Sequence, residues 1–195
     1  MKEFASWLLV AAVLGLGAGS PQSTSTLLAL QQGTPNIIFG AVHTYTHSTG
    51  RFSISVPDNW VGAENSVAGE IETIFVDPTD TAVLMVRVAT TPRELTHGEL
   101  EQFLKEFVDD RLGKSDQFAI AALAPQNNGS VGLSFGYNEH SPVGTYKMRG
   151  DAFVDQQGGT ISVRLLVLPD DQYATKQASA YTVINSFRLL SPASR

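Results

Sequence analysis

Short stretches of this chain alternate apolar and polar residues with a period of two, and two longer stretches repeat with a helical period. Phe52, Ile54 and Val56 alternate with Ser53 and Ser55, the signature of a half-buried strand, and Pro57-Asp58-Asn59 ends it. A strand is expected before it over Val42 to His47, and two more over Glu72 to Val76 and Ala82 to Ala89. The run VLMVRV is apolar on both faces up to Arg87, as in the middle of a sheet. Four further strands are predicted at Phe118 to Leu123, Val131 to Asn138, Thr145 to Asp155 and Thr160 to Leu168. Asn128-Gly129 and Gly158-Gly159 supply hairpin turns between them.

The helical period is clearest from Thr96 to Leu112. Leu100, Phe103, Leu104, Phe107, Val108 and Leu112 form one stripe, and Thr96 with Glu99 makes a capping-box pattern. Gly113 stands where a left-handed terminator is expected. A second helix is predicted after Pro169, capped by Asp170 or Asp171, with Tyr173, Gln177, Ala180, Tyr181, Ile184 and Phe187 on its inner stripe. Antiparallel hairpins with two isolated helices predict an α+β fold: a sheet of about six to eight strands with helices packed on its faces.

The first 41 residues carry neither period. Lys2, an apolar run from Phe4 to Leu16 and the small residues Gly17 to Ser20 read as a signal peptide over 1–20. The apolar run is shorter than the ~20 residues a spanning helix needs, so no stable transmembrane segment is expected once the leader is removed. Residues 21–41 mix Ser, Thr, Gln and Gly with isolated apolar patches and read as a linker whose last residues join the fold. The domain is then 42–191, in an exported, extracytoplasmic protein. Of the 195 residues 43% are hydrophobic and 16% charged, enough apolar content for one core of domain size. There are no cysteines, which excludes disulfides, thiolate metal sites and cysteine nucleophiles. A net charge of −6 argues against a nucleic-acid partner.

The segment Gly50-Arg51-Phe52-Ser53-Ile54-Ser55-Val56-Pro57 with Trp60, Phe75-Val76-Asp77-Pro78 leading into Val83 to Val88, and Tyr181 to Leu190 containing Ser186-Phe187-Arg188 together resemble the PsbP-like family. That fold is shared by the extrinsic photosystem II protein PsbP and a Ran-binding nuclear import factor. The resemblance covers about Tyr45 to Leu190. It implies an antiparallel sheet with helices on both faces and a non-enzymatic role, docking on a larger protein complex or binding a small ligand. The lipid-anchor cysteine usual in cyanobacterial members is missing here. A photosystem II extrinsic or assembly factor is one alternative implied by the family.

Three constellations are candidates for chemistry. Gly132-Leu133-Ser134-Phe135-Gly136 satisfies the G-x-S-x-G string of serine hydrolases, the enzymatic alternative, but Ser134 lies in an alternating strand pattern with no helix behind it. His43 and His47 share a strand face, yet four residues separate them by about 13 Å, too far for one metal ion. No catalytic residue, metal or cofactor is therefore expected. His97 and His140 read as surface residues, and Asn128-Gly129-Ser130 is a formal glycosylation sequon as well as a turn.

The third constellation is basic. If the strands flanking Gly158-Gly159 pair, Arg149 and Arg164 lie near one another, with Lys147 and Arg87 as further members of a patch on one sheet face. Such a patch suits a small anionic ligand, because guanidinium groups bind carboxylate or phosphate bidentately. The alternative is a solvated face with internal pairing to Asp151. The expected partner is an unidentified protein or a small anionic ligand.

Overall fold

The computed structural model describes residues 34–67, 69–126, 129–141 and 144–190. The expected leader, most of the linker and Asn128 lie outside these residues. The element order is β1 (Val42–Thr46), β2 (Phe52–Pro57), β3 (Val61–Val67), β4 (Glu70–Val76), β5 (Val83–Thr90), α1 (His97–Leu112), β6 (Asp116–Pro125), β7 (Val131–Ser141), β8 (Gly144–Gln157), β9 (Thr160–Pro169), α2 (Asp170–Asn185) and β10 (Arg188–Leu189). Seven strands form one sheet in the order β3-β4-β5-β9-β8-β7-β6, and every pairing in it is antiparallel. β1, β2 and β10 form a separate small sheet in the order β1-β2-β10.

Strand parity builds two cores. Odd-numbered residues of β9, Ile161, Val163, Leu165 and Val167, face α1 and pack with Leu100, Leu104, Phe107, Val108 and Leu112. Even-numbered residues Leu166 and Leu168 face the other way, toward Tyr173, Ala180, Val183 and Ile184 of α2 and toward Phe52, Ile54 and Val56 of β2. A side chain changes face with each step along a strand, so a residue's parity on a central strand decides which helix it meets. The three-layer α+β arrangement is thus one sheet, with α1 on one face and α2 plus the small sheet on the other.

Local chemistry explains where the helices begin and end. The Thr96 side chain accepts from the Glu99 N–H and the Glu99 carboxylate accepts from the Thr96 N–H at 2.8 Å, completing the expected capping box. Gly113 departs from expectation: its backbone is right-handed, with φ −60°, and its N–H donates to the Asp109 carbonyl. Glycine is required there for space, since a Cβ would stand 2.6 Å from that carbonyl oxygen. α2 departs too. Pro169 occupies the N-cap with no side-chain bond, and Asp170 and Asp171 instead fall in the first turn, where they complement the helix dipole.

Two strands had no sequence signal. β3 reads VGAENSV, with β-branched residues only at its two ends and no aromatic or alternating apolar residues between them. It is an edge strand held by pairing with β4, and Gly62 leaves room for the Phe75 ring, which a Cβ would approach to 2.7 Å. β10 has only two residues and pairs with β2 directly after α2. Residues 35–39 lie against the domain. Ile37 is fully buried, its N–H donates to Gln172 Oε1 at 2.8 Å, and Gln172 Nε2 donates to the Pro35 carbonyl at 2.7 Å.

Candidate anion-binding recess

The register divides the four basic residues singled out by sequence. Arg87 lies directly across from Val163 and therefore faces α1. There it pairs with Glu70 and sits 5.5 Å over the Phe107 ring. Arg164 lies across from Val86 and Phe153 and faces α2. Arg87 and Arg164 are thus on opposite faces, and the expected cluster does not include both. Lys147 and Arg149 share the α2 face with Arg164, but Arg149 is opposite Leu168, about 13 Å along the strand from Arg164. Arg149 stacks 4.2 Å over the Tyr173 ring and lines a recess of about 370 Å³ with Lys147, Asn138 and Asp170. Asp151 does not pair with either arginine. Its carboxylate accepts from Ser134 Oγ at 2.6 Å, Tyr181 OH at 2.9 Å and Tyr173 OH.

Arg164 is the residue whose setting calls for a ligand. It is 6% exposed in the middle of the sheet, flanked by Phe187 at 5.3 Å and Phe153 at 6.0 Å. Burying a guanidinium is costly unless its donors are satisfied. Asp155 pairs with Arg164 Nη2, but Arg164 Nε has no partner. Ser162 lies two residues back on the same face and is fully buried, and its Oγ also has no partner. Both residues line a recess of about 690 Å³, together with Asp155, Gln156, Gln157, Asn185, Phe187, Arg188 and Leu189.

Arg188 supplies the second guanidinium. It stands on β10 just past α2, where Nη1 donates to the Asn185 and Phe187 carbonyls at 2.8 and 2.6 Å. Those bonds fix a cation at a helix C-terminus, where the dipole favours it. Burial pulls Arg164 down to about 10, and the charge of Arg188 adds to the effect. Sequence reasoning passed over Arg188, Ser162 and Asp155. The Ser186-Phe187-Arg188 string was noticed only as a mark of the fold.

Ser134 lies within β7, not on a strand-to-helix turn. His43 Nδ1 lies 2.9 Å from Asp58, and His47 is buried with Nδ1 at 2.9 Å from Thr49 Oγ1. Among the described residues no group of three or more potential ligands is arranged to hold a metal. The same residues contain no helix long and apolar enough to cross a membrane.

His47 makes the domain acid-sensitive. Burial pushes its imidazole below the ordinary 6.5, outweighing the attraction of Glu64 3.5 Å away, and Arg51 lowers it further. Hydrogen bonds from Ser48 and Tyr45 hold Glu64 down at about 2, against an ordinary 4.5. For both groups the unfolded chain takes the proton first as pH falls. The stability contributed by His47 is therefore fully present above 6.5 and is lost as pH drops below it, and that contributed by Glu64 is lost from 4.5 toward 2. Thermal melts between about pH 7.5 and pH 5 are expected to show a falling midpoint, with a shallower slope in His47→Gln. Equal slopes in the two proteins would refute the assignment.

No family model matches this chain, and no curated protein sequence matches it. Solved structures do. The chain is similar to the solution structure of cyanobacterial PsbP from Synechocystis sp. PCC 6803, with a TM-score of 0.57 and 17% identity over 82% of this chain and 99% of that one. It is also similar, at a TM-score of 0.45 and 15% identity, to LpqN of Mycobacterium tuberculosis, described as involved in cell envelope biogenesis; 77% of this chain and 91% of that one are covered. With two helices, a seven-stranded antiparallel sheet and a small three-stranded sheet, this domain has the PsbP-like fold.

Proposed function

We propose that this chain is an exported, non-enzymatic binding module whose PsbP-like domain recognises an anionic group. The observation that carries the reading is the pair of unsatisfied buried donors, Arg164 Nε and Ser162 Oγ, in a recess flanked by Arg188. A buried guanidinium with an unsatisfied donor, in a residue that borders a recess, is chemically suited to an oxyanion. Export is supported by the leader pattern at residues 1–20. The non-enzymatic reading is supported by Ser134, whose hydroxyl is spent on a buried carboxylate inside a sheet.

Titration with a panel of simple oxyanions, followed through the side-chain Nε–H signals of the arginines, tests the proposal. Saturable movement of the Arg164 signal that is weakened in Arg188→Gln is expected. Absence of any saturable movement would remove it.

A second reading, docking on a protein assembly, is favoured by exposed apolar side chains at one corner. Ile38, Val42 and Val61 are all more than half exposed. Their segments are tied together by the Asp58 N–H to the Ala41 carbonyl at 2.9 Å and by the Phe39 and Trp60 rings at 5.3 Å.

A further inference from the structure

The recess is lined by two guanidinium groups and one carboxylate, which leaves one positive charge in excess. That balance discriminates between oxyanions. Asp155 lies across from Ser162 on β8 and reaches diagonally to Arg164, so an anion that meets Arg164 Nε and Ser162 Oγ sits next to a fixed negative charge. A dianion placed there is opposed by Asp155 with only one net cation to balance it. A monoanion completes the charge of the recess. Asp155 pairs with Nη2 of Arg164, and Nε of the same guanidinium is an unpartnered donor near the unpartnered Ser162 hydroxyl.

Beyond the charged floor, the recess is bordered by Asn185 and Gln157 with Phe187 and Leu189. The Gln156 side chain is turned to the opposite, α1-facing side of β8, where its Oε1 accepts from the Leu95 N–H at 2.8 Å. Neutral amides beside apolar side chains suit a ligand body with a peptide-like group, and they offer it no further charge.

We infer that the recess selects a singly charged carboxylate attached to an amide-bearing body, over phosphate. This rests on the reading of the recess as an anion site and narrows it. The chemistry is common to a free N-acyl amino acid and to the C-terminus of a peptide chain, and the experiment separates these two sources.

The test is calorimetric titration of the purified full chain with N-acetylglycine, with a short peptide ending in a free carboxylate, with the same peptide ending in an amide, and with inorganic phosphate. N-acetylglycine and the free-acid peptide are expected to bind and to compete, the amidated peptide not to bind, and phosphate to bind at least about tenfold more weakly than the carboxylates. Tighter binding of the free-acid peptide than of N-acetylglycine assigns the site to a chain terminus; equal binding assigns it to a free acid. Arg188→Gln, an exposed position, weakens both carboxylates by about tenfold or more at a temperature where its melting curve shows it fully folded. Asp155→Asn removes the opposing charge and shifts the preference toward phosphate. Phosphate binding as tight as that of the carboxylates in the native chain overturns the inference and leaves the anion reading standing; equal binding of the amidated peptide, which lacks the anionic terminus, overturns both. Failure of all four probes overturns both.

Discussion

Truncating Phe52 to alanine lowers the unfolding free energy by about 3–5 kcal/mol, a large share of the total for a domain of this size. Phe52 is fully buried where three elements meet. Its ring lies 5.7 Å from Phe187 after α2, 5.2 Å from His47 and 6.1 Å from Tyr45. Across the small sheet it stands opposite Leu189. The alanine variant therefore loses the burial of a whole ring and leaves a cavity that rigid neighbours cannot close. It also loosens β10, which carries Arg188. Urea denaturation measures the loss, and a midpoint shift worth less than about 1 kcal/mol would show that the small sheet is not locked to α2 through this ring.

Replacing Asp151 with alanine is expected to cost about 3 kcal/mol or more. Asp151 is 2% exposed and accepts from the hydroxyls of Ser134, Tyr173 and Tyr181, joining β7, β8 and α2. No ion pair to it is present among the described residues, so the three hydroxyls carry the compensation for burying its charge. Removing the carboxylate strands all three donors. Ser134→Ala removes one neutral donor from the same acceptor and is expected to cost only about 1 kcal/mol. Comparison of the two by denaturant unfolding separates a shared acceptor from a simple pairwise bond. Equal losses in the two variants would contradict it. The same comparison bears on the G-x-S-x-G string: Ser134 ties β7 to Asp151 on the neighbouring strand β8.

Most of the layered architecture was legible in the pattern. The alternation at Phe52, Ile54 and Val56 and the stripe from Leu100 to Leu112 report burial directly, because a side chain's exposure repeats with the geometry of its own element. The limits were equally physical. β3 carries Glu64, Asn65 and Ser66 on an edge, so pairing with β4 holds it and propensity does not. β1 and β2 were read as strands correctly, yet nothing local says that they leave the main sheet to join β10.

The candidate site was half legible. Arg164 stands out as a charge inside an apolar strand, and its mid-strand position was visible. The company it keeps was not. Arg87 seemed to belong with it, but the β5–β9 register sets Arg87 against Val163 and Arg164 against Val86, which sends the two charges to opposite faces. A shift of one residue in that pairing would have reversed the outcome. Arg188 lies 24 positions beyond Arg164 in sequence and reaches the recess only because β10 folds back along β2.

By itself the amino-acid sequence determined most of the elements: both helices and every strand but β3 and β10, where the capping box opens α1, and that a cysteine-free domain must be held by its core. Periodicity and capping are local, so a single pass along the chain reads them. Only the tertiary structure decided which charges share a face, which hydroxyls meet Asp151, and that Arg164 keeps a donor free beside Arg188. Those facts depend on strand register and on contacts between distant segments, which are settled by packing the whole domain at once.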